Sequence, residues 1–183
     1  FVSLHSRLPE AMVADFTNRD ELTDLVSAAN TVVVGPGLGT DETSLKVLQA
    51  VFNTIAPGQT LIVDGSAITL ISKHELKLPQ AKLVFTPHQM EWQRLSGIQI
   101  ADQTDEQLGG IVVVKSHQTR IYTPTGSFLN TAGTPAQATG GMGDTLAGMI
   151  GGFTAQFANQ TNAVLAAVYA HSAIADELAR HQY

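Results

Sequence analysis

The sequence predicts an α/β protein, a mostly parallel sheet with helices on both faces. Three observations predict it. Short apolar runs at Thr31–Val34, Thr60–Val63, Lys82–Phe85 and Ile111–Val114 alternate with longer stretches whose apolar residues recur at helical spacing. Each run is almost wholly apolar, as fits a strand covered on both faces. Each also runs directly into glycine, proline or charged residues, so the chemistry-bearing side chains gather where a parallel sheet binds its ligands.

In chain order, residues 1–5 read as a short extended segment, and residues 7–19, with Pro9, as a polar connection. Residues 20–29 place Leu22, Leu25 and Val26 on one helical face behind a capping residue. The β-branched run Thr31–Val34 ends in Gly35-Pro36-Gly37-Leu38-Gly39. Thr40 or Asp41 then caps a helix to about Thr54, with Leu45, Val47, Leu48 and Val51 inward. Thr60–Val63 leads into Asp64-Gly65-Ser66 and a short helix near residues 67–73. Lys82–Phe85 leads into Thr86-Pro87-His88, with Thr86 as the expected cap and Pro87 as the first residue of a helix to about Leu95. Ile111–Val114 ends in Lys115-Ser116-His117. Residues 120–123 and 127–130 form a hairpin about Pro124-Thr125-Gly126, and helices over about 143–157 and 161–180 follow.

A chain of 183 residues, 44% hydrophobic and 14% charged, is long enough for one domain with a real core, so residues 1–183 are expected to be a single domain. A net charge of −6 offers no electrostatic footprint for nucleic acid or an anionic membrane. No uncharged apolar run approaches the roughly 20 residues of a membrane span. Cysteine is absent, which excludes disulfides, a thiolate metal site and a thiol nucleophile, and fits a cytoplasmic protein. The six histidines show no metal-ligand spacing, so no protein-held metal is expected. The chain opens on Phe-Val-Ser-Leu inside what reads as a strand, so a further N-terminal segment is expected to precede it.

The most informative stretch is Thr139-Gly140-Gly141-Met142-Gly143-Asp144-Thr145-Leu146. Glycines admit positive φ and close ligand approach, and a helix starting there aims free N–H groups and its positive dipole end at one spot. Such a segment can seat an anion with Asp144 beside it. It can equally be a glycine turn with Asp144 as a simple cap. At the other strand ends, Gly35–Gly39 can be a tight turn, Asp64 a helix cap and His88 a surface histidine. Lys115, after four apolar residues, is more telling, because a strand-end lysine suits phosphate charge. The glycine spacing is not the dinucleotide fingerprint, and no Gly-Lys-Ser/Thr marks a Walker loop.

Taken together, Gly35-Pro36-Gly37-Leu38-Gly39, Val63-Asp64, Thr86-Pro87-His88-Gln89-Met90-Glu91, Arg94-Leu95, Val113-Val114-Lys115 with Thr119, Asn130-Thr131-Ala132-Gly133 and Thr139–Asp144 resemble the ADP/ATP-dependent NAD(P)H-hydrate dehydratases of the ribokinase-like superfamily. The likeness covers nearly the whole chain, in order. It implies a three-layer α/β/α ribokinase-like fold whose first strands precede Phe1. It implies repair of hydrated NADH or NADPH at the expense of ADP or ATP, with Mg²⁺ bridging the nucleotide phosphates.

In that scheme Asp144 accepts the substrate hydroxyl proton. Gly39, His88 and Asp144 meet the hydrated nucleotide. Lys115, Ser116, His117, Gln118, Thr119, Gly140, Gly141 and Gly143 hold the adenosine nucleotide. The family also implies a homo-oligomer, a tetramer. The chain departs from the family pattern at Ser116 after Lys115, at Asp64-Gly65-Ser66 where a second acid is usual, at Met90 and Trp92, and in a shorter link from Gly97 to Ile111. A small-alcohol kinase using the same Asp144 and glycine segment, and a non-catalytic nucleotide binder, are the alternatives.

Overall fold

A computed structural model describes residues 6–99, 102, 109–134, 137 and 139–182. The segment expected at residues 1–5 lies outside them, as does most of the shortened link before Ile111.

Six strands pair in sequence order: β1 (Thr31–Val34), β2 (Thr60–Val63), β3 (Lys82–Phe85), β4 (Ile111–Val114), β5 (Arg120–Thr123) and β6 (Gly126–Leu129). The first four are parallel, with Val34 opposite Val63, Val63 opposite Phe85 and Phe85 opposite Val112. β5 and β6 add an antiparallel hairpin at the far edge. All four parallel strands have the bounds that their apolar runs predict.

Side chains alternate faces along a strand, so each run feeds two cores. Leu61, Val63, Leu83, Phe85, Val112 and Val114 enter one. There they meet α1 (Arg19–Ala28), α2 (Glu42–Thr54), α3 (Gly65–His74) and α4 (Gln89–Ser96), through Val26, Leu48, Val51, Ile68, Ile71 and Trp92. Ile62, Val84, Ile111 and Val113 enter the other, under α5 (Met142–Gln156) and α6 (Gln160–Gln182), through Leu146, Ile150, Val164 and Val168. The result is the expected α/β/α layering.

Several local expectations are corrected. β1 is not covered on both faces: Val33 remains 39% exposed, because β1 is the edge of the described sheet and α5 meets it through a glycine. A Cβ on Gly151 would stand 2.9 Å from Val33 Cγ2, so the helix backbone lies close on the sheet there. The first helix is capped by Asn18 and begins one residue earlier than expected. Of the two candidate caps for α2, Asp41 is the one used; its Oδ1 accepts from the Ser44 N–H at 2.8 Å and from Ser44 Oγ at 3.0 Å.

Neither Thr86 nor Pro87 starts α4. His88 is its cap: Nδ1 accepts from the Glu91 N–H at 3.2 Å, and Glu91 Oε2 accepts from the His88 N–H at 2.9 Å. The carbonyl of Pro87 is engaged instead by the Lys115 N–H at 2.8 Å, which holds Thr86 and Pro87 in the extended end of β3. The hairpin's second strand ends at Leu129, because Asn130 is buried and turns its side chain to α6.

Candidate active site

The parallel strands all end at one edge, and five loops meet above it. After β1, Gly35 adopts a φ of +122°, and a Cβ there would lie 1.7 Å from the Asp64 carbonyl oxygen. Only glycine lets the first loop rest on the end of β2. The loop then turns through Gly37 and Gly39, both at positive φ, and is braced by Ser44 Oγ donating to the Leu38 carbonyl at 2.6 Å.

Asp64 occupies the cap position of α3, yet its side chain makes no cap bond. Its Oδ1 accepts instead from Lys115 Nζ at 2.7 Å, across the ends of β2 and β4. The carboxylate is 3% exposed and the lysine side chain 24%, so water screens this pair far less than a surface pair. Lys115 is itself placed by continued strand pairing, since its backbone bridges His88 beyond the end of β3. His88 and Lys115 are therefore neighbours through their backbones.

The last loop brings the glycine segment to the same lysine. Gly141, at a φ of +85°, caps α5 without a side-chain bond, so the reading of Asp144 as a simple cap is not what the chain adopts. Asp144 is the third residue of α5 and is exposed. A Cβ on Gly143 would stand 3.3 Å from Lys115 Nζ, which puts the ammonium against the first turn of α5. A lysine charge and the positive end of a helix thus lie side by side, an arrangement that favours an anion between or above them.

A cleft of about 140 Å³ opens beside this point, lined by Lys115, Ser116, Thr119, Met142 and Gly143 from the strand end and the helix head, and by Gln137, His171 and Ser172 beyond. At that volume it encloses only part of a nucleotide-sized ligand, since such pockets run to several hundred Å³. Of the residues expected around an adenosine nucleotide, Lys115, Ser116, Thr119 and Gly143 line it. His117 and Gln118 are exposed on the same turn, with Gln118 accepting from Ser116 Oγ through its carbonyl at 2.6 Å. Gly140 and Gly141 lead into α5 and are exposed. Gly39 and His88 stand on the same sheet edge, over β1 and β3, outside the lining of this cleft.

Sequence reasoning missed the support supplied by α6. Asn130 Nδ2 donates to Ser172 Oγ at 2.8 Å, the Gly133 N–H donates to Asp176 Oδ2 at 3.0 Å, and Gln137 Nε2 lies 3.1 Å from His171 Nδ1. These bonds tie the segment that precedes the glycines to the last helix. A signal was present: His171 and Ser172 continue the buried face of Val164, Ala167 and Val168 at helical spacing, and polar residues there require partners. Burial holds the His171 ring below its ordinary value, with a Met142 backbone group acting the other way.

Among the described residues, no cluster of three or more His, Asp or Glu side chains is placed to hold a metal ion.

A mostly parallel sheet covered by helices on both faces, with a lysine and a glycine-led helix at its C-terminal edge, defines a protein of ribokinase-like type. A PfkB protein from Polaromonas, 16% identical with a TM-score of 0.55, shares the fold. A family model described as NAD(P)H-hydrate dehydratase matches residues 1–183, and the chain belongs to that family.

The ADP-dependent (S)-NAD(P)H-hydrate dehydratase of Lactiplantibacillus plantarum is 54% identical over 100% of this chain and 68% of its own length. The same enzyme of Lactococcus lactis is 51% identical over 99% of the chain and 69% of its own. Among solved structures, a ribokinase-like superfamily protein from Enterococcus faecalis superposes with a TM-score of 0.93 at 48% identity, over 98% of this chain and 66% of that one. The ADP/ATP-dependent NAD(P)H-hydrate dehydratase of Bacillus subtilis, co-crystallised with ATP and Mg²⁺, superposes at 0.78 with 29% identity, over 100% of this chain and 68% of that one.

Proposed function

We propose that this chain dehydrates hydrated NADH or NADPH back to the intact cofactor, consuming ADP and releasing phosphate. The observation that carries the reading is the Lys115 ammonium held against the glycine-led head of α5, with Asp144 exposed on the same turn. The family match over residues 1–183 and the likeness to ADP-dependent enzymes of Lactiplantibacillus plantarum and Lactococcus lactis support it.

Phosphoryl transfer needs positioning and charge stabilisation more than covalent chemistry from the protein. Lys115, Gly140, Gly141 and Gly143 face the transferring phosphate with one ammonium and the backbone N–H groups of the helix head. Ser116, His117, Gln118 and Thr119 border the rest of the adenosine nucleotide. Gly39 and His88 receive the hydrated nicotinamide nucleotide. Asp144 takes the proton of the ring hydroxyl as the hydroxyl oxygen bonds to the terminal phosphorus of ADP and the bond from that phosphorus to AMP breaks. The phosphate then leaves with the C–O bonding pair while a neighbouring ring proton passes to water. Magnesium, when bound, neutralises phosphate charge. The same reading has residues 1–183 as part of one ribokinase-like domain that works in the cytoplasm as a homo-oligomer, a tetramer; no helix among the described residues is long and apolar enough to cross a membrane.

The test is to mix the protein with hydrated NADH, Mg²⁺ and ADP or ATP, and to follow the return of NADH absorbance. Nucleotide-dependent recovery is expected. Phosphorylation of a hydroxymethylpyrimidine-type alcohol without any recovery would transfer the chain to the small-molecule kinases.

A further inference from the structure

Asp64 is an acid in a place meant for anions. It is 2% exposed, it heads α3 without bonding to that helix, and its carboxylate meets the ammonium that lies against the head of α5. An isolated lysine would not settle against a helix N-terminus, since both are positive. Here Lys115 Nζ does so, 2.7 Å from Asp64 Oδ1 and close against Gly143. The pair joins residues 51 positions apart, and no strand register requires the side chains to meet. The Asp64 backbone is fixed in turn by the Gly35 loop pressed against its carbonyl.

We infer that Asp64 is a positioning residue: it holds the Lys115 ammonium at the head of α5 before nucleotide binds, so that the cation is already in place for phosphoryl transfer. This deepens the proposed function and rests on it for the identity of the phosphate donor. Asp64 touches neither substrate nor phosphate; it acts through Lys115. Its negative charge weakens ground-state nucleotide binding somewhat, so its removal leaves affinity nearly intact while misplacing the ammonium. Small misplacements of catalytic groups carry rate losses of up to roughly a hundredfold.

The experiment compares the wild-type protein with Asp64→Asn, Asp64→Glu, Lys115→Met and Asp64→Asn/Lys115→Met in two readouts. The first is NADH recovery, resolved into kcat and KM for ADP. For Asp64→Asn, kcat is expected to fall about tenfold or more with KM changed less than about threefold, and the double variant is expected to be no worse than Lys115→Met alone. Additive losses, or a KM effect alone, would overturn the inference.

The second readout needs no activity: acylation of Lys115, followed by mass spectrometry against the exposed Lys77. Loss of a hydrogen bond between charged groups should speed Lys115 labelling roughly tenfold in Asp64→Asn. An unchanged ratio would sink the idea. If Asp64→Asn does not fold, Asp64→Glu decides through kcat against KM, because its longer side chain displaces the ammonium while keeping the charge. A wild-type protein that fails to restore NADH would refute the proposed function, and the labelling ratio would still decide the role of Asp64.

Discussion

Asp144 stands exposed on the first turn of α5, where a carboxylate is electrostatically favoured and has open access to a ligand. Asp144→Asn keeps the shape and removes the base. It is expected to leave ADP binding within a few-fold while cutting kcat about a hundredfold or more, read by NADH recovery beside calorimetric titration. Wild-type turnover would remove Asp144 from the chemistry. A second prediction concerns His171, which burial keeps below its ordinary value of 6.5. Above that pH both folded and unfolded chains are neutral there. As pH falls through it, the unfolded chain takes the proton first, so stability is lost downward until the folded value is passed. Urea unfolding at pH 7.5 and 5.5 should show a larger drop for wild type than for His171→Gln; equal drops would refute the assignment. Single residues at the sheet edge were legible because chemistry and position coincide in the sequence, as at Lys115 beyond β4 and Gly143 in the first turn of α5. Their pairings were not: nothing local links Asp64 to Lys115, and the bonds of Asn130, Gly133 and Gln137 to α6 exist only once the helix is docked.

Elements were legible where their burial is uniform. β4 is apolar throughout and β2 apolar after Thr60, both are buried throughout, and their bounds follow directly from the runs. Helix starts were harder, since capping is decided by one or two hydrogen bonds that several residue types can make. At α4 the spacing of His88 and Glu91 is that of a capping box, with an imidazole nitrogen in place of a hydroxyl. His88 is thus both the start of a helix and a proposed contact to the substrate, and the two roles separate by substitution. His88→Asn supplies another good cap and should retain stability while reducing kcat/KM. His88→Ala should also lose about 1 kcal/mol in denaturant unfolding. An active, stable His88→Asn would confine the residue to capping.

The whole molecule is one sheet serving two cores, and the covers are unequal in kind. α1 precedes β1 and α2 to α4 are threaded between the strands, whereas among the described residues the opposite face is closed by α5 and α6. Their fit depends on Gly151, whose missing Cβ lets α5 lie on Val33 and Ile62. Gly151→Val should therefore cost about 1–3 kcal/mol, seen as a lower denaturant midpoint; an unchanged midpoint would mean that α5 can slide to make room. The order of the covers along the chain has a consequence at the ribosome. The strands that carry Ile62, Val84, Ile111 and Val113 all emerge before the two helices that hide them. For the interval in which residues 142–182 are still being made, the nascent sheet presents an apolar face to the cell, a period of exposure to aggregation that ends only once α6 has emerged, well after the glycine turn at the head of α5.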